Sequence, residues 1–370
     1  MNNPNTNRDN DPKLGQTLKQ DIKSSDLWSS MRRDYRELEK FYIDDEKKLR
    51  LNKMNVVKRV FVLSWWLLKS LLLKLTPARR ILLLVGFFLI LGWGTVILQG
   101  GEVRSSTSNW QIVGGALLLF VLMLELKDKL LARDELEAGR KVQQALMPNA
   151  TPSIPGWSVW ISTRPANEVG GDLVDSLDLG DNRHGLVLAD VSGKGLQAAL
   201  LTAKLQATIR ALGQDYDSTA ELVAKINEIF HRDSLPNMFA SLLYTEICSD
   251  RTSIKFVNAG HLPPLLLRSG DIREMPKGEQ ALGLIRTSTF AEHTIEVESG
   301  DVFFAYSDGL TEARNEKGEF FGSERLLRLL PTWRNLSAEK IGSAIVSEVD
   351  WFVGEARAND DLSLVILKKL

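Results

Sequence analysis

Four short acidic segments are the part of this sequence best suited to chemistry. Each places an acidic residue at the end of an apolar run, next to a glycine or a second acid. The segments are Val169-Gly170-Gly171-Asp172, Leu188-Ala189-Asp190-Val191-Ser192-Gly193, Tyr306-Ser307-Asp308-Gly309 and Asn359-Asp360-Asp361-Leu362-Ser363. Carboxylates at strand ends can point into one cleft and form an all-oxygen site, which hard cations such as Mg²⁺ and Mn²⁺ prefer. The alternative is a set of ordinary turn acids, because an acid beside a glycine is more often a turn than a ligand.

Histidine and cysteine usage points away from zinc and thiol chemistry. None of the histidines shows the helical spacing of zinc ligands; they are His184, His231, His261 and His293. The single cysteine, Cys248, excludes an internal disulfide framework, and we interpret it as a small core hydrophobe. The 46 basic and 47 acidic residues nearly cancel to a formal charge of −1, so the composition does not indicate a nucleic-acid partner.

The acidic segments require a framework of strands and helices after Gly156. Short β-type runs predict strands at Trp157–Thr163, Leu173–Leu179, Gly185–Val191, Phe239–Cys248, Ser253–Asn258, Thr294–Val297, Asp301–Tyr306 and Leu362–Lys368. Helical patterns fall at about 195–213, 217–232, 322–330 and 338–353. Strands that cluster, with helices grouped between them, predict an α+β sandwich; strict β-α alternation, which a doubly wound parallel sheet needs, is missing.

Two uncharged apolar runs predict a transmembrane hairpin over 81–126. Ile81–Gln99 would span about 28 Å as a helix, close to the thickness of a bilayer core. The second span is predicted at 110–126; a pair of buried core helices is the alternative. Basic residues flank the hairpin on both outer sides, which predicts a cytoplasmic membrane protein with two spans and both termini in the cytoplasm. These residues are Lys58, Arg59, Lys69, Lys74, Arg79, Arg80, Lys127, Lys129 and Arg133.

The remaining segments before the sandwich differ in composition and in the pattern of their apolar residues. Residues 1–25 are polar and predict disorder, while 26–58 predict a cytoplasmic amphipathic helix. Residues 59–80 predict an interfacial helix, with a short spanning helix over 60–75 as the alternative. Residues 127–148 predict a linker helix, and three prolines after it place the start of the C-terminal domain, 151–370.

The linker helix carries a partial heptad. Leu124, Leu131, Ala138 and Ala145 stand seven apart, although two heptad positions are charged. A parallel helical homodimer and a solvated linker helix are both compatible with this pattern.

The acidic segments and their neighbours resemble a known family. The order GGDLVD, ADVSGKG, AALLTAKLQATIRA, NAGHLPP, FFAYSDGLTEARN, FG and NDDLSLVIL is similar to the bacterial serine/threonine phosphatases of the metal-dependent PPM (PP2C) class, and within it to the SpoIIE/RsbU-like branch. The resemblance covers about Gly139 to Leu370, and AGRKVQQALMP resembles the helix that precedes this domain in the family.

The resemblance implies a four-layer αββα sandwich that binds two Mn²⁺ or Mg²⁺ ions. Asp190 is expected to bridge the ions, with the carbonyl of Val191 as a further ligand, and Asp172 is expected to join it as a catalytic ligand. The remaining implied ligands are Asp308 and Asp360, and the residues implied to support them without binding are Asp361, Gly171 and Gly309. A water between the two ions would attack phosphorus in line, without a phosphoenzyme.

Two further residues are candidates for contact with substrate. Lys194 could steer phosphate or cap the following helix. His261 could act on the substrate or stabilise the turn that contains it. Ser192 stands where eukaryotic relatives carry a histidine that is a candidate proton donor, so the general acid is unassigned.

The resemblance implies hydrolysis of phosphoserine or phosphothreonine on a protein, and in this branch the usual substrates are STAS-type antagonists of anti-sigma factors. The partners expected are therefore such a phosphoprotein, the lipid bilayer and a second copy of the chain. The competing hypothesis is a catalytically silent, membrane-tethered binding module. A diguanylate cyclase is excluded because Leu173-Val174 do not continue the Gly170-Gly171-Asp172 motif as Glu-Phe. The helix from Glu125 to Met147 could transmit dimerisation or rotation to the metal site, or the two spans could only tether the enzyme.

Overall fold

The structure is a computed structural model that describes residues 54–91, 96–99, 102–105, 110–148, 151–248, 250 and 252–370. The predicted disordered segment 1–25 and nearly all of the predicted amphipathic helix 26–58 lie outside the described residues. The chain divides into two units, Met1–Lys129 and Leu130–Leu370.

The first unit does not confirm the predicted span over Ile81–Gln99, because its last four residues form a strand. Helix α1 covers Val56–Lys74 and helix α2 covers Pro77–Leu91. Strands β1 (Val96–Gln99) and β2 (Glu102–Ser105) then pair antiparallel. The sequence Gly92-Trp93-Gly94 contains two poor helix formers and is followed by three β-branched residues, which favour a strand.

Helix α3, Trp110–Leu146, carries the second predicted span and most of the predicted linker as one continuous helix of 37 residues. Within the described ranges it is the one helix long and apolar enough to cross a membrane. The 15 residues of α2 are fewer than a spanning helix needs, so two spans are not confirmed. Where α2 and α3 cross, a Cβ atom on Gly114 would lie 2.6 Å from the carbonyl oxygen of Gly86, so these glycines permit the close approach.

The second unit contains two five-stranded sheets. Their strands are β3 (Trp157–Arg164), β4 (Asp172–Gly180), β5 (Arg183–Val191), β6 (Ala240–Ile247), β7 (Ser253–Ala259), β8 (Leu265–Arg268), β9 (Asp271–Glu274), β10 (His293–Glu296), β11 (Val302–Tyr306) and β12 (Leu362–Lys369). Sheet one has the order β10-β7-β6-β5-β4, and sheet two has the order β3-β12-β11-β8-β9, with every pair antiparallel.

The β8–β9 hairpin was not predicted from the sequence. Both strands have only four residues, and Leu265–Leu267 show no alternation of apolar and polar residues.

Helices cover the outer face of each sheet. Helices α4 (Leu196–Leu212) and α5 (Thr219–Asp233) pack on sheet one, while α7 (Ser323–Leu329) and α8 (Ala338–Val353) pack on sheet two. A third apolar core lies between the sheets. The α+β fold predicted for this domain, an αββα sandwich, is therefore present.

The two faces of β5 belong to different cores. Val187, Ala189 and Val191 pack with the helices, whereas Leu186 and Leu188 pack between the sheets. Because side chains alternate along a strand, Asp190 points into the space between the sheets.

Candidate metal centre

The predicted acidic ligands meet at one end of the sandwich. Asp172 begins β4 and is the cross-strand partner of Asp190, near the end of β5. On sheet two, β11 ends at Tyr306 and a short helix, α6 (Asp308–Thr311), begins at Asp308. The pair Asp360-Asp361 directly precedes β12. Strand ends from both sheets therefore deliver carboxylates to the same cleft.

Two glycines allow the segments that carry the acids to approach closely. A Cβ on Gly171 would lie 2.9 Å from the carbonyl oxygen of Val191 and 3.4 Å from Oδ1 of Asp190. A Cβ on Gly309 would overlap the carbonyl oxygen of Asp361. Both positions therefore exclude a larger side chain, and the supporting role that the sequence resemblance implies for them stays a prediction.

Asp361 and Asp360 have different surroundings. The Asp361 carboxylate is buried and accepts backbone hydrogen bonds on both oxygens, from Ala166 at 2.7 Å and from Gly171 at 2.7 Å and Asp172 at 3.3 Å. The Asp360 carboxylate is half-exposed and lies 3.3 Å from the Lys194 ammonium. Asp361 thus ties the Asp172 segment to β12, whereas the half-exposed Asp360 carboxylate is available to bind a cation.

The carboxylates raise one another's pKa. Burial, followed by the charges of Asp308, Asp360 and Asp361, raises the pKa of Asp190 to about 6, with Lys194 opposing the shift. Burial and then the charge of Asp360 raise the pKa of Asp308. Negative charges held this close in a partly dry cleft call for a countercharge.

A hard divalent cation fits this cleft. Burial and then the charge of Asp190 raise the pKa of Asp172 well above its usual value, and its Oδ2 atom is buried without a hydrogen-bond partner. The donors are all oxygens, as Mg²⁺ and Mn²⁺ prefer. In the described part of the chain, no three His, Cys, Asp or Glu side chains converge as tightly as a bound ion requires.

The two predicted substrate contacts differ in exposure. The Lys194 side chain is 62% exposed and donates from Nζ to the Asn359 carbonyl at 2.9 Å as well as to Asp360. His261 is buried, and burial lowers its pKa to about 4, so the ring is neutral. A buried neutral ring does not support the substrate-binding role predicted for His261.

The structure adds Gln143, which was not predicted as a site residue. Its side-chain Nε2 donates to the Gly170 carbonyl at 2.8 Å, and its Oε1 accepts from the Gly170 amide at 3.1 Å. The end of α3 is thereby bonded to the segment that leads into Asp172. The only signal in the sequence was the family-like stretch around Gln143.

A second missed cluster lies on the helical side of sheet one. Asp175 is buried, and its carboxylate accepts from Arg210 at 2.7 and 2.8 Å and from Gln206 at 3.0 Å. Gln206 and Arg210 also donate to the Leu146 carbonyl, at 2.8 and 3.2 Å. Asp175 lies three positions after Asp172 on β4, and because side chains alternate along a strand, the two side chains point to opposite faces.

The hydrogen bonds of Gln143 and of the Leu146 carbonyl show that the C-terminal unit begins earlier than the sequence predicted. The sequence predicted its first residue at 151, after the prolines. The end of α3 instead belongs to the unit Leu130–Leu370, because Gln143 and Leu146 bond to the strand and helix that frame the cleft.

Known proteins are similar to this domain in sequence and in fold. The family model for Stage II sporulation protein E (SpoIIE) matches residues 180–369. Protein IcfG of Synechocystis is 28% identical over 262 residues, which cover 63% of this chain and 41% of IcfG. Phosphoserine phosphatase RsbU of Bacillus subtilis is 23% identical over 239 residues, covering 64% of this chain and 70% of RsbU.

Two solved structures show the same fold. The SiaA-PP2C domain of Pseudomonas aeruginosa superposes with a TM-score of 0.58 at 20% identity, covering 65% of this chain and 98% of that one. The RsbU and RsbW domains of a Mycobacterium tuberculosis protein superpose with a TM-score of 0.54 at 24% identity, covering 60% of this chain and 63% of that one. The family match extends over half of the sequence and covers the sandwich from the end of β4 onward, including Asp190, Asp308 and Asp360. The chain therefore belongs to the SpoIIE family, and its C-terminal domain has the PP2C-type fold.

Proposed function

We propose that this protein is a metal-dependent serine/threonine phosphatase that hydrolyses phosphoserine or phosphothreonine on a protein substrate. The observation that carries the proposal is the cleft in which Asp172, Asp190, Asp308 and Asp360 meet, with a buried Asp172 oxygen that lacks a partner. The name of the relative RsbU, a phosphoserine phosphatase, supports the same reaction for this chain.

The residues of the cleft are proposed to have different roles in this reaction. Asp190 would contact both ions, with Asp172, Asp308, Asp360 and the Val191 carbonyl completing their ligands. Bound Mn²⁺ or Mg²⁺ would supply the positive charge that activates water and neutralises the transferring phosphoryl group. The exposed Lys194 ammonium beside Asp360 adds a cation at the rim that attracts a phosphate dianion.

The substrate is proposed to be a STAS-type phosphoprotein in a partner-switching pathway that regulates a sigma factor. The resemblance to the RsbU-like branch supports this choice. The chain spans less than half the length of IcfG. The substrate and the partners are therefore proposed from the residues of this chain and from its family, and not from IcfG as a whole.

The N-terminal unit is proposed to anchor the enzyme in the cytoplasmic membrane. On α2, Phe87 and Phe88 are 54% and 78% exposed, and on α3, Ile112 and Leu122 are 72% and 62% exposed. Large apolar side chains that face outward from two packed helices suit lipid. On the part of α3 after Lys129, exposed Leu131 and Val142 are available to a parallel second copy, so a homodimer is also proposed.

The test is Mn²⁺-dependent hydrolysis by the full chain in detergent. We expect turnover of p-nitrophenyl phosphate and of phosphoserine in phosphorylated casein, its loss with EDTA, and its loss in Asp190→Asn. Asp215→Asn, which changes an exposed acid after α4, serves as the matched control and is expected to keep full activity. Tight Mn²⁺ binding without any turnover would instead favour the catalytically silent binding module.

A further inference from the structure

His261 is a buried imidazole between the two sheets that lies near the carboxylates but outside the proposed ligand set. Its Nδ1 atom lies 2.8 Å from the Ser241 hydroxyl on sheet one. The backbone of Tyr306, at the end of β11, opposes the lowering of the His261 pKa by burial, so it lies near the ring. Its Nε2 atom is buried without a hydrogen bond. The imidazole is therefore bonded to β6 of sheet one and lies near the end of β11 on sheet two.

Ser241 extends the row of acids on sheet one. Asp172 pairs with Asp190 across β4 and β5, and Asp190 pairs with Ser241 across β5 and β6. Directly opposed residues in an antiparallel sheet point to the same face, with Cβ atoms about 5 Å apart. Leu243, two residues further along β6, packs between the sheets, so Ser241 also faces the cleft. The Ser241 hydroxyl is thus a neighbour of the Asp190 carboxylate.

The backbone of His261 is fixed on both sides. The Asn258 side chain donates to the His261 carbonyl at 3.0 Å and accepts from the His261 amide at 2.8 Å. Gly260 has φ of +72°, and a Cβ there would lie 2.7 Å from the Ala281 amide nitrogen. Because the Asn258 side chain and the close approach of Ala281 hold this turn, the His261 ring cannot easily leave the cleft.

The chemistry of a neutral imidazole suits this place. Burial keeps the ring uncharged at pH 7, so it bonds to Ser241 without setting a positive charge where cations are expected to bind. An aliphatic side chain of similar volume would leave the Ser241 hydroxyl without this partner.

We propose that His261 is a positioning residue for the metal centre: by bonding to Ser241 on sheet one, beside the Tyr306 end of sheet two, it sets the placement of Asp190 relative to Asp308. Asp190 is the cross-strand neighbour of Ser241, and Asp308 follows Tyr306 by two residues. This inference deepens the proposed function and rests on it. Partners behind metal ligands typically contribute 10- to 100-fold to metal affinity.

The experiment measures Mn²⁺ affinity of the full chain by isothermal titration without substrate, together with kcat and KM for p-nitrophenyl phosphate. We expect His261→Phe and Ser241→Ala each to weaken Mn²⁺ binding about ten-fold, and the double variant to be no weaker than either. His261→Asn, whose amide can occupy the position of Nδ1, is expected to restore binding. His261→Gln, whose amide reaches toward the position of Nε2, is not.

Thermal unfolding and a matched histidine separate positioning from simple packing. His293 lies on the edge strand β10, and the centroid of its ring is 5.2 Å from that of Phe256. His293→Phe is expected to leave Mn²⁺ affinity unchanged. A lower Tm with wild-type Mn²⁺ affinity in His261→Phe would overturn the inference. If that variant does not fold, wild-type Mn²⁺ affinity in Ser241→Ala, which removes one oxygen, overturns it equally. Failure of the proposed function would appear separately, as a wild-type chain that binds Mn²⁺ without turnover.

Discussion

Replacing Asp190 with asparagine is expected to have opposite effects on stability with and without metal. In the metal-free protein, burial and the neighbouring acids raise the pKa of Asp190 from 3.8 to about 6. A carboxyl whose pKa is raised by folding ionises less readily in the folded state than in the unfolded state. Its ionisation therefore lowers the free energy of unfolding. The cost therefore grows as the pH rises from about 4 through about 6, and it is fully present above that range.

The magnitude follows from the size of that pKa change. A pKa raised by about two corresponds to about 3 kcal/mol at pH 7.5, and to about half as much at pH 5, where the folded carboxyl is mostly protonated. Asp190→Asn removes the charge at a nearly constant volume, so in EDTA the variant is expected to be more stable than the wild type by up to about 3 kcal/mol at pH 7.5. With saturating Mn²⁺ the order is expected to reverse, because only the wild type gains the full binding free energy.

The assay is urea unfolding of the full chain in detergent, followed by tryptophan fluorescence, at pH 5 and pH 7.5, with EDTA or with Mn²⁺. Asp215→Asn provides the control, since it removes one exposed charge away from the cleft. If Asp190→Asn is as stable as the wild type or less stable in EDTA at pH 7.5, the carboxylates do not repel one another as argued. If Mn²⁺ stabilises both proteins equally, Asp190 is not a ligand.

Three further perturbations test other parts of the structure. Gln143→Leu removes both hydrogen bonds to the buried backbone of Gly170 and is expected to cost about 2 kcal/mol in urea unfolding, which an unchanged midpoint would contradict. Arg210→Met removes the two-pronged bond to the buried carboxylate of Asp175 and is expected to cost about 2 to 3 kcal/mol by the same measurement, whereas a loss under about 0.5 kcal/mol would show that the pair is dispensable. Burial raises the pKa of the Cys248 thiol, so its alkylation by iodoacetamide at pH 7.5, followed by mass spectrometry, is expected to be at least about ten-fold slower than that of free cysteine; an equal rate would place the thiol at the surface.

Local periodicity was a good guide to the sandwich. The runs that predicted β4, β5 and β12 coincide with the observed strands within one or two residues, and the helical pattern at 338–353 coincides with α8. In these elements, apolar side chains repeat at the period of the structure they form, so a single segment contains the information.

Local hydrophobicity was a poorer guide in the N-terminal unit. The run Ile81–Gln99 is uncharged throughout, yet its helix ends at Leu91 and its last four residues pair with Glu102–Ser105. Hydropathy averages over a window and does not register two glycines in the middle of it, whereas backbone propensity and strand pairing act at individual residues.

The sequence by itself determined which acids stand at strand ends and the order in which they occur along the chain, because a strand end and its turn residues are local features. Only the tertiary structure decided which groups hold those acids in place. Gln143 reaches Gly170, Arg210 reaches Asp175, and Ser241 reaches His261, each across 20 residues or more. Such bonds depend on the packing of two sheets and their helices, and no spacing along the chain encodes them.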